Sequence, residues 1–132
     1  MKKLLLVSTL ALSLGACSTL SNIVGVVTGA SVTANQAYIA ANAYDALEQT
    51  ATTYLTLPAC VAGGTKVCRS AAAVNAIVPA IRSGRIARNN LEAAINANIT
   101  AGTAVPATLD QLLTAATATL QGIIAEYGIS SQ

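Results

Sequence analysis

The chain has 132 residues, 54% apolar and only 9% charged, with seven basic against five acidic side chains, four tyrosines, and no His, Trp or Phe. A nucleic-acid binder needs a basic field and aromatic stacking platforms, and this composition supplies neither. Chemistry that depends on a histidine base or a histidine metal ligand is excluded with it, and the length suits one small domain.

Lys2 and Lys3 precede an apolar run over residues 4–14, which ends in Leu14-Gly15-Ala16-Cys17. A cationic start, a short apolar core and small residues before a cleavage point are the parts of a secretory signal. As a helix, residues 4–16 would span only ~20 Å, short of the ~30 Å hydrocarbon core that a membrane-spanning segment must cross. Leu14-Gly15-Ala16-Cys17 resembles the lipobox of bacterial lipoproteins. That resemblance, which covers residues 1–18, implies cleavage before Cys17 and lipid transfer to its thiol, with no cofactor beyond this covalent lipid. The plainer reading is an unmodified thiol beside an ordinary secretory cleavage site, and Leu14 fits the lipobox better than it fits that pattern. In lipoproteins an aspartate after the cysteine tends to retain the protein at the inner membrane, and here that position is Ser18. The implied address is the outer membrane, facing the periplasm, in a Gram-negative cell, or the outer face of the plasma membrane in a Gram-positive one.

Three segments are expected: a cleaved signal at 1–16, the lipidated Cys17 with an apolar tether at 17–32, and a helical domain at 33–132. Without its signal the chain is formally neutral, with Lys66, Arg69, Arg82, Arg85 and Arg88 facing Asp45, Glu48, Glu92, Asp110 and Glu126. Residues 20–32 are uncharged, with Leu20, Ile23, Val24, Val26, Val27 and Val32 among them. A plain tether would be more polar, so this stretch either lies along the membrane surface or packs onto the domain. Gly25 and Gly29 also have the spacing of a small-residue helix contact, a weak signal for self-association outside a membrane helix.

The domain reads as all-α. A first helix is predicted from Thr33, with Thr33 and Gln36 as a capping box, to about Leu57, carrying the stripe Ala37, Ala40, Tyr44, Leu47, Ala51 and Tyr54 and ending at Pro58. With Cys17 lipidated, Cys60 and Cys68 remain as a pair around Gly63-Gly64, and an exported compartment permits them to form a disulfide. A metal site or redox pair is the alternative, disfavoured by the lack of histidine and of CxxC spacing. A second helix is predicted from Ser70 as N-cap to about Asn98, with Val74, Ile77, Ile81, Leu91 and Ile95 inward and a kink or fresh start at Pro79. Pro106, Thr108 and Gln111 open a third, with the stripe Leu109, Leu112, Ala116, Leu120, Ile123 and Tyr127 closing at Gly128. Short loops suggest an alanine-rich, three-helix up-down-up bundle with the disulfide-closed loop between its first two helices. No stretch alternates at period two for long enough to demand a sheet.

Arg82, Arg85 and Arg88 share one broad helical face. If the first two helices fold back on each other, Arg82 and Arg85 fall level with Asp45 and Glu48, and Arg88 can meet Glu92 one turn on. Cross-helix pairing is the plain reading. The sharper one is a grip on lipid headgroup phosphate, a partner's acidic surface or the polymeric wall, which guanidinium forks suit. Catalysis has little footing: no histidine, no remaining free thiol, scattered carboxylates, and Lys66 with no serine motif beside it. The expectation is therefore a non-enzymatic, lipid-anchored envelope protein that holds a protein partner or a second copy of itself, with no nucleic acid and no small-molecule substrate. The alternatives are a membrane-active, lysis-associated lipoprotein and, less favoured, an envelope hydrolase.

Overall fold

A computed structural model describes residues 31–129; the signal, Cys17 and the tether as far as residue 30 lie outside the described residues. Within them the chain runs as a short strand β1 (Ser31–Val32), helix α1 (Ala34–Leu55), helix α2 (Ala71–Ala101), strand β2 (Val105–Pro106) and helix α3 (Ala107–Glu126). The fold is mostly helical, and each helix packs against the other two.

Helix α1 begins where the sequence says it should. Thr33 is in extended conformation, its hydroxyl accepts from the Gln36 backbone amide at 3.2 Å, and the Gln36 side-chain Oε1 accepts from the Thr33 backbone amide at 3.0 Å. Two otherwise orphaned donors are satisfied reciprocally. The helix stops at Leu55, earlier than predicted: Thr56 closes the last turn, donating its amide and its hydroxyl to the Thr53 carbonyl. Ala37, Ala40, Tyr44 and Ala51 are buried as the stripe required, and Ala41 joins them.

The link between α1 and α2 is closed at its base. Arg69 donates its amide to the Pro58 carbonyl at 2.9 Å and accepts from the Cys60 amide at 3.1 Å. Cys60 and Cys68 form a disulfide with Cα atoms 4.9 Å apart, and Gly63 reverses the chain between them at φ 76°. At the same junction the Ser70 amide donates to the Tyr54 phenol at 2.8 Å, while the Ser70 hydroxyl caps α2 by accepting from Ala73.

Helix α2 runs unbroken through Pro79 to Ala101, three residues beyond Asn98. The ring costs one backbone hydrogen bond, but Pro79 and Asn75, whose carbonyl loses its donor, both lie on the exposed side, where water can take its place. Ile77, Ile81, Leu91 and Ile95 are buried; Val74 is only half-buried and the inward position is taken by Ala73. Gly102, in left-handed conformation, terminates the helix by donating to the Asn98 carbonyl.

Two features depart from the expected pattern. First, β1 and β2 form an antiparallel pair, Ser31 opposite Pro106 and Val32 opposite Val105. Two residues are too few to leave an alternation, so the pairing was invisible in the sequence. Second, the inner face of α3 is offset by one position: Asp110, Leu113, Thr117 and Leu120 are buried, Leu109 and Ala116 are half-buried, and Leu112 is 58% exposed. The cause is local. Val105 is fully buried and Pro106 is the N-cap with no side-chain cap bond, so the ladder rather than Thr108 and Gln111 sets the rotation of α3.

Helices α1 and α3 both set out from this ladder. Their far ends, Tyr54 and Leu57 on one side and Tyr127 and Ile129 on the other, share a cleft of about 240 Å³ with Lys66, Val67 and Cys68.

Candidate functional site

The charge on the helices gathers at the seam between α1 and α2. Asp45 and Glu48 stand one turn apart on α1, as do Arg85 and Arg88 on α2. Arg88 grips Asp45 with both donors of one guanidinium edge, Nε to Oδ1 and Nη2 to Oδ2, each at 3.1 Å, and its Nη1 reaches Glu92 one turn further along α2. Arg85 donates to Glu48 Oε1 at 2.6 Å. Hydrogen bonding to these carboxylates raises the pKa of both guanidinium groups above their ordinary value, so they stay charged.

The cross-helix pairing expected from the sequence forms, one turn from the rough level read there. The sequence set Arg82 and Arg85 level with Asp45 and Glu48; the pairs formed are Arg85 with Glu48 and Arg88 with Asp45. Arg82 makes no ion pair among the described residues.

What sets the level is a contact the sequence reading missed. The Tyr44 ring, fully buried, packs directly against Gly84, and its phenol donates to the Ile81 carbonyl at 2.9 Å. Burial first, and then the negative charge of Glu48, pushes the phenol pKa far above its usual value, so it remains a protonated donor. An isolated glycine in a helical pattern often marks close packing, and Gly84, between Arg82 and Arg85, was the available signal.

Beside the ion pairs, α1 and α2 leave an open groove of about 360 Å³, floored by Leu55, Val78 and Ile81 and edged by Ile86 and Arg82. Ile86 is 61% exposed. An apolar floor next to an uncommitted guanidinium can take an apolar side chain adjoining a carboxylate or phosphate.

The other candidate residues separate cleanly from this seam. Cys60 and Cys68 are bonded to each other, so their thiols are not available as metal ligands. Among the described residues no group of three or more His, Cys, Asp or Glu side chains could hold a metal, and no helix is long and apolar enough to cross a membrane. Asp110, buried in the first turn of α3, has its pKa raised by desolvation. Cys17 lies outside the described residues.

No family model matches this sequence, and no curated protein or solved structure is detectably similar to it.

Proposed function

We propose that this chain is a small, non-catalytic lipoprotein of the bacterial envelope, lipidated at Cys17, whose helical domain acts as a structural or protein-interaction module facing the periplasm. The observation that carries the reading is the segment Leu14-Gly15-Ala16-Cys17 behind its cationic and apolar leader. The disulfide supports it, because such bonds persist in exported compartments.

The helices follow an up-down-up order in this reading. The crosswise pairing of Glu48 with Arg85 and Asp45 with Arg88 suits antiparallel neighbours, and the common origin of α1 and α3 at the ladder suits parallel ones. The interaction surface is the groove between α1 and α2, with Arg82 receiving an acidic group and Leu55, Val78 and Ile86 the apolar residue next to it.

The test is the intact mass, without reduction, of the protein purified from membranes of its own host. A chain beginning at Cys17, carrying acyl mass and two hydrogens lighter than the reduced form, is expected. An unlipidated mass overturns the anchor and the envelope address together. Crosslinking in membranes then identifies the partner, and loss of the crosslinked species in a folded Arg82→Glu protein assigns it to the groove.

A further inference from the structure

The exposed large apolar side chains of the three helices are not scattered. Apart from Ile86 in the groove, they are Tyr38 and Ile39 near the start of α1, Ile99 near the end of α2 and Leu112 near the start of α3, between 43% and 63% exposed. All four stand within two turns of the β1–β2 ladder, the place where the chain enters the domain from residues 1–30.

The same end is stripped of charge. Residues 31–44 and 93–109 contain no Asp, Glu, Lys or Arg. The single carboxylate near the start of α3, Asp110, is buried. The nearest charges on α1 and α2 are Asp45 and Glu92, each seven positions from Tyr38 or Ile99 and so about 10 Å along the helix axis. Between the apolar side chains the exposed residues are uncharged, and the polar ones among them include Thr33, Asn35, Gln36, Thr100 and Thr103. The opposite end is different: Lys66, Arg69 and Glu126 are gathered around the disulfide loop and the end of α3.

We propose that the ladder end of the bundle rests in a lipid surface, immersed to the level of Tyr38, Ile39, Ile99 and Leu112. This rests on the anchored reading above and adds an orientation to it. Two observations choose lipid over protein as the occupant. The four side chains sit on three different helices around one end, which a soft planar phase touches at once and a partner docked on one face does not. The chain arriving at that end, residues 20–32, is itself uncharged and carries six large apolar residues. The depth required is that of interfacial segments, roughly 5–10 Å into the headgroup region, where a tyrosine ring is well placed. Uncharged hydroxyl and amide groups can meet headgroups without the cost of desolvating an ion.

The chain has no tryptophan, so a single one reports its own surroundings. Full-length Tyr38→Trp, Ile99→Trp, Leu112→Trp and Val61→Trp proteins, each with unchanged helix content, are bound to phosphatidylcholine vesicles with brominated acyl chains. The three ladder-end proteins are expected to shift to the blue and be quenched at least threefold more than Val61→Trp, whose site is in the disulfide loop. Vesicle-bound protein with equal quenching at all four sites overturns the orientation while leaving the anchor intact. Burial of the same three sites by dimer formation, without quenching, assigns the end to a second copy and overturns it too. Failure of the full chain to sediment with vesicles removes the anchored reading along with the orientation.

Discussion

The ring of Tyr44 occupies the space that a side chain at Gly84 would fill. A Cβ at position 84 would stand 2.5 Å from both Cζ and Oη of that ring, far inside contact distance. The ring is enclosed and hydrogen-bonded to Ile81, so it has nowhere to retreat. Gly84→Ala should therefore destabilise the domain, overpacking costing about 1–3 kcal/mol against the roughly 1 kcal/mol that alanine recovers in helix propensity. Thermal melts should show a fall of several degrees, and Gly84→Ala combined with Tyr44→Leu should lose less than the sum of the two. An unchanged melting temperature in the single variant would refute the steric account.

Removing the disulfide should loosen a corner rather than dissolve the fold. For a loop of about nine residues the chain-entropy relation gives about 2.6 kcal/mol, so Cys60→Ser with Cys68→Ser should melt lower by an amount that denaturant titration can measure. The Arg69 pairing with Pro58 and Cys60 and the Tyr54 bond to Ser70 are independent of the sulfurs. Helix content at low temperature should be retained, and its collapse on reduction would contradict that independence.

The three arginines should part company under substitution. Arg88 with Asp45 is a bidentate but half-exposed pair, so a double-mutant cycle with Arg88→Gln and Asp45→Asn should return a coupling of about 1 kcal/mol or less, weakened by salt. Arg82→Glu should leave the melting temperature unchanged, because that side chain is exposed and makes no ion pair among the described residues. A large loss of stability at Arg82 would place it in the scaffold and count against the proposed partner surface.

Asp110 gives the stability a pH dependence of known sign. Burial raises its folded-state pKa above the ordinary carboxylate value, so the folded chain holds this proton more tightly than the unfolded one. Its contribution is fully present below the ordinary value and is lost as pH rises through the raised one. At neutral pH the fold thus carries a buried carboxylate that Asp110→Asn would relieve. The variant should melt higher than the wild-type protein at pH 7, and the difference should close below about pH 4. A variant less stable at pH 7 would show that a favourable interaction of the carboxylate outweighs its desolvation.

Local signals in the sequence were legible because they are local. Thr33 with Gln36, Ser70, and the pair Cys60 and Cys68 each act within a few residues, and each appears in the structure as read. What failed depends on contacts distant along the chain. Choosing between Leu112 and Leu113 as the inward residue of α3 requires the rotation imposed by Val105 in the ladder, since either leucine fits an apolar stripe. The level at which the arginines meet their carboxylates depends on Tyr44 seating against Gly84. Alanine, at home inside or out, supplies too little contrast to fix either. Of the proposed groove, Arg82 was visible in advance, whereas Leu55, Val78 and Ile86 became neighbours only through the packing of α1 on α2.

The ladder also decides how the domain meets mechanical load. A pull arriving through residue 30 acts first on Ser31 and Val32, whose partners Pro106 and Val105 lead directly into α3. Tension is thus shared between α1 and α3 at the point of entry, and the two strand pairs are the first link to part. At the other end the Cys60–Cys68 bond shortens the loop joining α1 to α2, so slack released by the ladder is not matched there. Pulled through residue 30, the domain should yield by peeling at the ladder end, with the corner beneath the disulfide the last to open.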